Sequence, residues 1–256
     1  IIVLPKKAFA WMPKSVEGMK GMLVFPVLGV LLIGVFMYLA NTPFAYISEG
    51  FSWMLSKLSE YHLTVLLCAI LAAMMVVDMG GPVNKAAYVF GTAMLAEGTT
   101  EGYMIMAAVM IGGMVPPIAI ALSTALFPQK WSKKERGDAQ VNYFLGLSFI
   151  TEGAIPYAAS YPLPVIGASV IGSAIAGALT GAFGVQLMAP HGGIFVFPVV
   201  QPIGWGVLWY LVALAVGSII GALLLGVFMK NNAKPELGKW HGLYNVNTGV
   251  KNTAVK

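Results

Sequence analysis

The chain has 256 residues, of which 58% are hydrophobic and only 10% charged. Its mean hydropathy is +0.81. An ordinary soluble domain carries roughly 25% charged residues, so this composition excludes a soluble globule and predicts a polytopic membrane protein. The single cysteine also excludes a secreted scaffold held by disulfides.

The net charge of +5 comes from basic residues that lie in three clusters holding 13 of the 15 lysines and arginines. Clusters of this kind beside apolar segments are typical of cytoplasmic loops. Aromatic residues do not alternate with them as in a nucleic-acid surface, so no nucleic-acid partner is expected. The clusters are Lys6, Lys7, Lys14 and Lys20; Lys130, Lys133, Lys134 and Arg136; and Lys230, Lys234, Lys239, Lys251 and Lys256.

The first residues indicate a chain that continues an earlier part. Residues 1–4 are apolar, run directly into Pro5-Lys6-Lys7, and lack an initiating methionine. We therefore expect transmembrane helices to be missing before this point. Residues 22–40 form an apolar run long enough to span a bilayer, and Asn41-Thr42-Pro43 is predicted to end it. In residues 44–61 apolar side chains recur at helical spacing, which predicts an amphipathic helix. This helix either lies in the membrane interface or packs on the bundle outside the membrane.

Further apolar segments follow, and several are too short or too interrupted to be simple spans. Pro116-Pro117 lies inside one of them and is expected to kink or break its helix. Short segments flanked by glycine and proline favour re-entrant hairpins over complete crossings. The segments cover residues 63–77, 86–96, 103–127, 141–150, 165–183, 188–201 and 205–229.

Three polar breaks interrupt these segments, at residues 78–85, 151–156 and 190–193. Each combines glycine or proline with a titratable residue: Asp78 and Lys85, Glu152, and His191. Irregular backbone within a membrane must be buried in protein or line a wet cavity, and ionisable residues there indicate a functional site. Free backbone donors and acceptors suit a ligand with many hydroxyl groups.

The same residues do not favour metal or nucleotide chemistry. The histidines, His62, His191 and His241, have no ligand spacing, and no phosphate-binding GxxxxGK[ST] loop is present. We therefore expect no metal and no cofactor. Asp78 and Lys85 are alternatively a buried ion pair that holds the first break in shape.

Three motifs resemble the fructose family of phosphotransferase-system enzyme IIC. They are Asp-Met-Gly-Gly-Pro-Val-Asn-Lys-Ala-Ala-Tyr at 78–88, Phe-Ile-Thr-Glu-Gly-Ala-Ile-Pro at 149–156, and Ala-Pro-His-Gly-Gly-Ile-Phe-Val at 189–196. The resemblance extends from about Lys14 to Met229 in order, and the tail beyond Asn231 carries no recognised motif.

The resemblance implies an all-α polytopic membrane protein with re-entrant hairpins, in the architecture of the glucose superfamily of enzyme IIC. Residues 1–61 would end a scaffold and dimerisation part, residues 62–229 would form the sugar-transport domain, and residues 230–256 would be a basic cytoplasmic tail. The implied protein is a homodimeric, multi-pass component of the bacterial cytoplasmic membrane, in contact with the lipid bilayer.

The implied function is a sugar permease that translocates fructose, or a close relative, by an elevator-type movement. A phosphorylated IIB partner would phosphorylate the sugar, so the chain would be the membrane component of a protein-phosphohistidine–sugar phosphotransferase without itself carrying the phosphorylated residue. An ion-coupled secondary transporter of a small polar solute, with Asp78 and Glu152 as ion sites, is the alternative.

The resemblance also implies the site. Glu152 falls in a stretch similar to a Gly-Ile-Thr-Glu motif, with Phe149 in place of Gly, and would contact the hydroxyl that becomes phosphorylated. A carboxylate accepts a hydrogen bond from a hydroxyl and polarises it. The predicted substrate-binding residues are Asp78, Asn84, Lys85, Thr151, Glu152, Gly153, His191 and Gly192, with Glu152 as the catalytic residue. Alternatively, Glu152 is a structural acceptor for free N–H groups of the hairpin, and His191 stabilises the turn at Gly192-Gly193.

Overall fold

A computed structural model describes residues 25–60 and 63–230. The basic clusters before residue 25 and after Lys230, together with His62 and His241, lie outside the described residues. Two compact units, Ile1–Trp53 and Met54–Lys256, divide the chain. The functional division proposed after residue 61 remains a prediction.

The described residues are almost entirely helical. Nine α-helices are present in these ranges: α1 (Phe25–Glu60), α2 (Thr64–Val77), α3 (Pro82–Ala96), α4 (Thr100–Leu126), α5 (Lys133–Asp138), α6 (Val141–Leu147), α7 (Ile155–Ser160), α8 (Pro162–Ala182) and α9 (Trp205–Phe228). Short 3-10 helices cover Pro128–Lys130, Thr151–Ala154 and Ile194–Val199. Two-residue strands, β1 (Gln186–Leu187) and β2 (Val200–Gln201), pair antiparallel. The all-α fold class is thereby confirmed.

Three of these helices, α4, α8 and α9, are long and apolar enough to cross a membrane. The predicted segments 165–183 and 205–229 correspond to α8 and α9, and 63–77 corresponds to α2. The short segment at 141–150 and the interrupted one at 188–201 are confirmed as broken elements, since neither contains a helix of spanning length.

The expected end of a helix at Asn41-Thr42-Pro43 is wrong, and so is a break, as distinct from a kink, at Pro116-Pro117. Helix α1 continues from Phe25 to Glu60 through Asn41-Thr42-Pro43, and α4 continues through Pro116-Pro117. Proline is compatible with helical φ, and its cost is one lost backbone hydrogen bond and a clash with the preceding turn. In α1 the side chains of residues 30–39 are all exposed.

Helix α4 is the centre of the second unit. In its most apolar stretch 89% of the residues are buried, against 44% for α8 and for α9. Helices α2, α8 and α9 surround it, with α8 also packed against both α2 and α9. An apolar helix with buried sides all round is the expected core of such a bundle.

The contact between α8 and α9 depends on a reciprocal pair of glycines. A Cβ added to Gly172 would lie 2.6 Å from the Gly217 carbonyl oxygen, and a Cβ added to Gly217 would lie 2.6 Å from the Gly172 carbonyl oxygen. Both obstacles are backbone atoms, which cannot rotate aside. Small residues that allow such close approach are characteristic of helix packing in membranes.

Gly172→Ala is therefore expected to destabilise the protein by about 1–3 kcal/mol, because the methyl group would push α8 away from α9. Gly167→Ala is the matched control on the same helix, since its Cβ would meet only the Phe228 ring at 3.8 Å. Thermal unfolding in detergent measures both variants. Equal midpoints for the two would contradict the close-packing argument.

Candidate functional site

The middle of α4 carries two backbone carbonyls that the helix itself cannot satisfy. Pro116 and Pro117 have no N–H groups, so the carbonyl groups four residues earlier, at Gly112 and Gly113, lose their helical donors. Side chains from outside α4 replace them. Ser173 Oγ donates to the Gly112 carbonyl at 2.9 Å, and Thr151 Oγ1 donates to the Gly113 carbonyl at 2.8 Å.

Thr151 lies at the tip of a hairpin formed by α6, the 3-10 turn Thr151–Ala154 and α7. The hairpin closes tightly, because a Cβ added to Gly153 would lie 2.6 Å from Asn142 Oδ1 and from Leu145 Cδ1. The Thr151 hydrogen bond therefore fixes the hairpin tip against the middle of α4.

A second loop approaches the same place, between β1 and β2. Its glycines fit closely against the first hairpin. A Cβ added to Gly192 would lie 2.5 Å from the Phe149 ring, and one added to Gly193 would lie 2.7 Å from the Leu147 carbonyl oxygen. Gly193 also has a φ of 89°, which glycine adopts without a steric penalty. The breaks at 151–156 and 190–193 thus meet.

The two loops come from opposite ends of α9. Gly206, in its first turn, contacts the Gln201 backbone of β2. At its other end, the Lys130 ammonium donates to the Met229 carbonyl. Trp131, in the basic loop, packs edge-on against Tyr157 of α7 at 5.8 Å between ring centroids. The first hairpin therefore starts near the end of α9 that lies beside the basic loop, and the second loop starts near the other end of α9.

Phe149 joins the two loops, a role for which the sequence contains no direct signal. Its ring occupies the space next to Gly113, where a Cβ would lie 2.7 Å from the ring, and next to Gly192. It also contacts the His191 ring edge-on, with the centroids 5.6 Å apart. Its φ of 61° is rare for a bulky residue. Backbone strain of this kind costs about 1–3 kcal/mol and concentrates at functional sites.

Glu152 and His191 are both exposed beside this junction. Among the described residues, the Glu152 carboxylate makes no hydrogen bond. His191 Nδ1 lies 2.6 Å from the Gly192 carbonyl oxygen. A carbonyl only accepts, so Nδ1 carries the hydrogen, and in the neutral ring Nε2 is an acceptor. The pair offers two acceptors for hydroxyl hydrogens.

Asp78, Asn84 and Lys85 occupy a different place. The Asp78 carboxylate accepts from the backbone N–H groups of Val83 at 2.7 Å and Asn84 at 3.1 Å. It thus caps the start of α3, where a negative charge is favourable. The Asn84 amide donates to the Met75 carbonyl near the end of α2. Both polar groups hold the α2–α3 junction together.

The alternative of an ion pair between Asp78 and Lys85 is wrong. Lys85 is exposed, and in the described structure no salt bridge links it to Asp78, whose carboxylate is directed to backbone donors. The α2–α3 break instead borders a cavity of about 250 Å³ shared with α7. Helix α3 reaches the second loop further along, where the Tyr88 hydroxyl donates to the Pro190 carbonyl at 3.0 Å.

Two tyrosines mark the basic-loop end of the first hairpin. Burial raises the pKa of Tyr157 to about 12, with the charges of Asp138 and Glu135 adding to the effect. Burial also raises the pKa of Tyr161 to about 12, together with the charge of Glu135 and a hydrogen bond to it. Both hydroxyls therefore stay protonated at neutral pH and remain hydrogen-bond donors. The Tyr157 hydroxyl donates to the Glu135 carbonyl at 3.1 Å.

Within residues 25–60 and 63–230, no group of three or more His, Cys, Asp or Glu side chains is arranged to hold a metal ion. The groups that meet at the hairpin tips are a carboxylate, an imidazole and backbone atoms. This chemistry fits a hydroxyl-bearing ligand.

Comparison with known proteins identifies relatives along most of the chain. The sequence profile of the family "Phosphotransferase system, EIIC" matches residues 6–172. The chain is 46% identical over 232 residues to the fructose permease IIC component of Bacillus amyloliquefaciens, covering 90% of this chain and 73% of that protein. It is 44% identical over 232 residues to the fructose-specific EIIABC component of Bacillus subtilis.

A third relative is the fructose-specific EIIB'BC component of Escherichia coli, 44% identical over 227 residues, which are 88% of this chain and 39% of that protein. The match to the Bacillus subtilis protein covers 90% of this chain and 35% of that protein. The chain thus spans little more than a third of the length of these two relatives. No solved structure is significantly similar to it.

Thr151→Val is expected to destabilise the protein by about 1 kcal/mol, because the Gly113 carbonyl would lose its donor within the bundle. Thr151→Ser keeps a hydroxyl group and serves as the matched control. Thermal unfolding of both variants in detergent is the measurement. If Thr151→Val lowers the unfolding midpoint no more than Thr151→Ser does, α4 does not need this donor.

Proposed function

Because the chain belongs to the phosphotransferase-system EIIC family, we propose that it is a sugar permease component that binds and translocates fructose. The observation that carries the proposal is the meeting of the two hairpin tips at the middle of α4, with Glu152 and His191 exposed beside the junction. The fructose-specific names of the relatives support the choice of sugar.

We assign the Glu152 carboxylate to the hydroxyl that becomes phosphorylated. The carboxylate accepts a hydrogen bond from this hydroxyl and makes its oxygen a better nucleophile. Nε2 of His191 accepts from a second hydroxyl. Thr151 and Gly153 act by holding the first tip, and Gly192 by allowing Phe149 to pack against the second loop.

Asp78 and Asn84 take a supporting role in this proposal, because their polar atoms are engaged at the α2–α3 junction. They hold the start of α3, from which Tyr88 reaches the second loop. Lys85 is exposed near the same junction. The proposed sugar contacts therefore concentrate on Glu152 and His191.

The phosphoryl group comes from a phosphorylated IIB partner. A new bond forms between phosphorus and the sugar oxygen while the bond to the partner's phosphorylated residue breaks, and the proton of the sugar hydroxyl passes to the Glu152 carboxylate. Catalysis of this kind depends on positioning and charge stabilisation. Relatives named EIIABC and EIIB'BC support such a partner. We place the protein in the bacterial cytoplasmic membrane as a homodimer, with the basic loop on the cytoplasmic side.

Glu152→Gln is expected to lower fructose phosphorylation at least about a hundredfold, because a neutral amide polarises the hydroxyl far less than a carboxylate. Phosphorylated product is measured in vesicles supplied with the phosphorylated IIB protein. Glu97→Gln is the matched control, an exposed carboxylate in the loop between α3 and α4. Fructose uptake that persists without phosphotransferase proteins and collapses with the proton gradient would instead favour an ion-coupled transporter.

We further propose that the part carrying the hairpins moves as a rigid body in an elevator-type mechanism. Spin labels at Val30 and Phe144, both exposed, are expected to change separation when fructose and the IIB partner are added. A pair at Phe144 and Leu163, both in the second unit, serves as the control and should keep its distance. Cys68, the single cysteine of the chain, is buried, which keeps the labelling specific. An unchanged first distance would contradict the movement.

A further inference from the structure

A larger cavity with several polar residues in its wall lies at the basic-loop end of the first hairpin. It has a volume of about 490 Å³, is open to solvent on one side, and is lined mainly by residues of α5, α6 and α7. Ligand pockets typically measure about 300–1,000 Å³. The cavity is separate from the junction of the two loops, since neither Phe149 nor His191 lines it, but Gly153, the residue after Glu152, does line it.

Asn142 is a buried polar residue in the wall of this cavity. Its side chain is only 3% exposed, and among the described residues its Nδ2 group has no hydrogen-bond partner. An unpaired buried amide donor is unfavourable for folding. A residue that bears this cost in the wall of a cavity is poised to donate to a ligand.

The remaining polar lining suits a neutral molecule with many hydroxyl groups. Asp138 offers a carboxylate acceptor and Lys134 offers a donor, whereas the Glu135 carboxylate already accepts from the Ser132 N–H at 2.8 Å and from Tyr161. The Tyr157 hydroxyl uses its hydrogen on the Glu135 carbonyl, so its oxygen is an acceptor for the cavity. Two carboxylates against one ammonium group disfavour a phosphate dianion.

We propose that this cavity binds the unphosphorylated sugar on the basic-loop side of the protein, with Asn142 Nδ2 donating to a sugar oxygen. The inference rests on the proposed sugar-transport function and adds a second binding site for the same substrate. Phosphorylation of the sugar hydroxyl beside Glu152 would then convert a ligand that the cavity accepts into one that it repels, which favours release of the product.

Asn142→Leu tests the donor. We expect fructose to bind the purified full chain about fivefold more weakly, because one hydrogen bond to the ligand is lost. The midpoint of thermal unfolding should rise by about 3 °C, because the unpaired amide is removed. Ser169→Ala is the matched control, since Ser169 is also buried and unpaired but lies outside the cavity. It should leave the affinity for fructose unchanged.

Unchanged fructose affinity in Asn142→Leu would overturn the proposal, and so would tighter binding of fructose phosphate than of fructose by the wild type. Asn142→Ala has no steric demand and replaces the leucine variant if that protein fails to fold. The same loss of affinity is expected for it.

Cysteine labelling locates the binding. Fructose should slow the reaction of a maleimide with Ser160→Cys, in the cavity wall, and should leave Phe144→Cys, exposed outside it, unaffected. The protection should persist when Glu152→Gln is added. If Glu152→Gln abolishes phosphorylation while fructose never protects Ser160→Cys, the cavity proposal fails and the proposed function stands. If fructose neither binds nor is phosphorylated in the wild type, both fail.

Discussion

The arrangement of the site depends on two missing backbone donors. Because Pro116 and Pro117 have no N–H groups, α4 has two unsatisfied carbonyls at the middle of a buried helix. In an apolar bundle such groups must find partners within the protein. One partner comes from α8 and the other, Thr151, from the first hairpin. The prolines thereby determine the height along α4 at which the hairpin tip binds, and Glu152 is the next residue in the chain.

The second loop is positioned by shape rather than by polar contacts. Glycine at 113 and at 192 leaves room for the Phe149 ring between α4 and the loop, and the left-handed backbone at Phe149 directs the ring into that space. The strain at this residue is offset by aromatic packing against His191 and by close contact with both glycines. A glycine at position 149 would relieve the strain, but it would remove the ring that connects the two loops.

The sequence predicted the elements of this site better than it predicted their contacts. Hydropathy and the glycine-proline breaks located the hairpins, because irregular segments inside apolar runs stand out in composition. The pairing of Thr151 with Gly113 depends on tertiary geometry, and so does the capping role of Asp78. The double proline predicts a kink or break because its local cost is visible in the sequence, whereas the distant donors that compensate for it are not.

The polar breaks differ in where their hydrogen-bond donors and acceptors are directed. In the α2–α3 break the polar groups bond to nearby backbone. Asp78 accepts hydrogen bonds from backbone N–H groups, and the Asn84 amide donates to a backbone carbonyl. The tips at 151–154 and 190–193 use Thr151 and glycine contacts for support and leave Glu152 and His191 at the surface. A sugar competes with water for its hydroxyl groups, so acceptors held ready on fixed backbone lower the ordering cost of binding. In the proposed function, the two loops therefore provide the rigidity, and Glu152 and His191 make the contacts to the sugar.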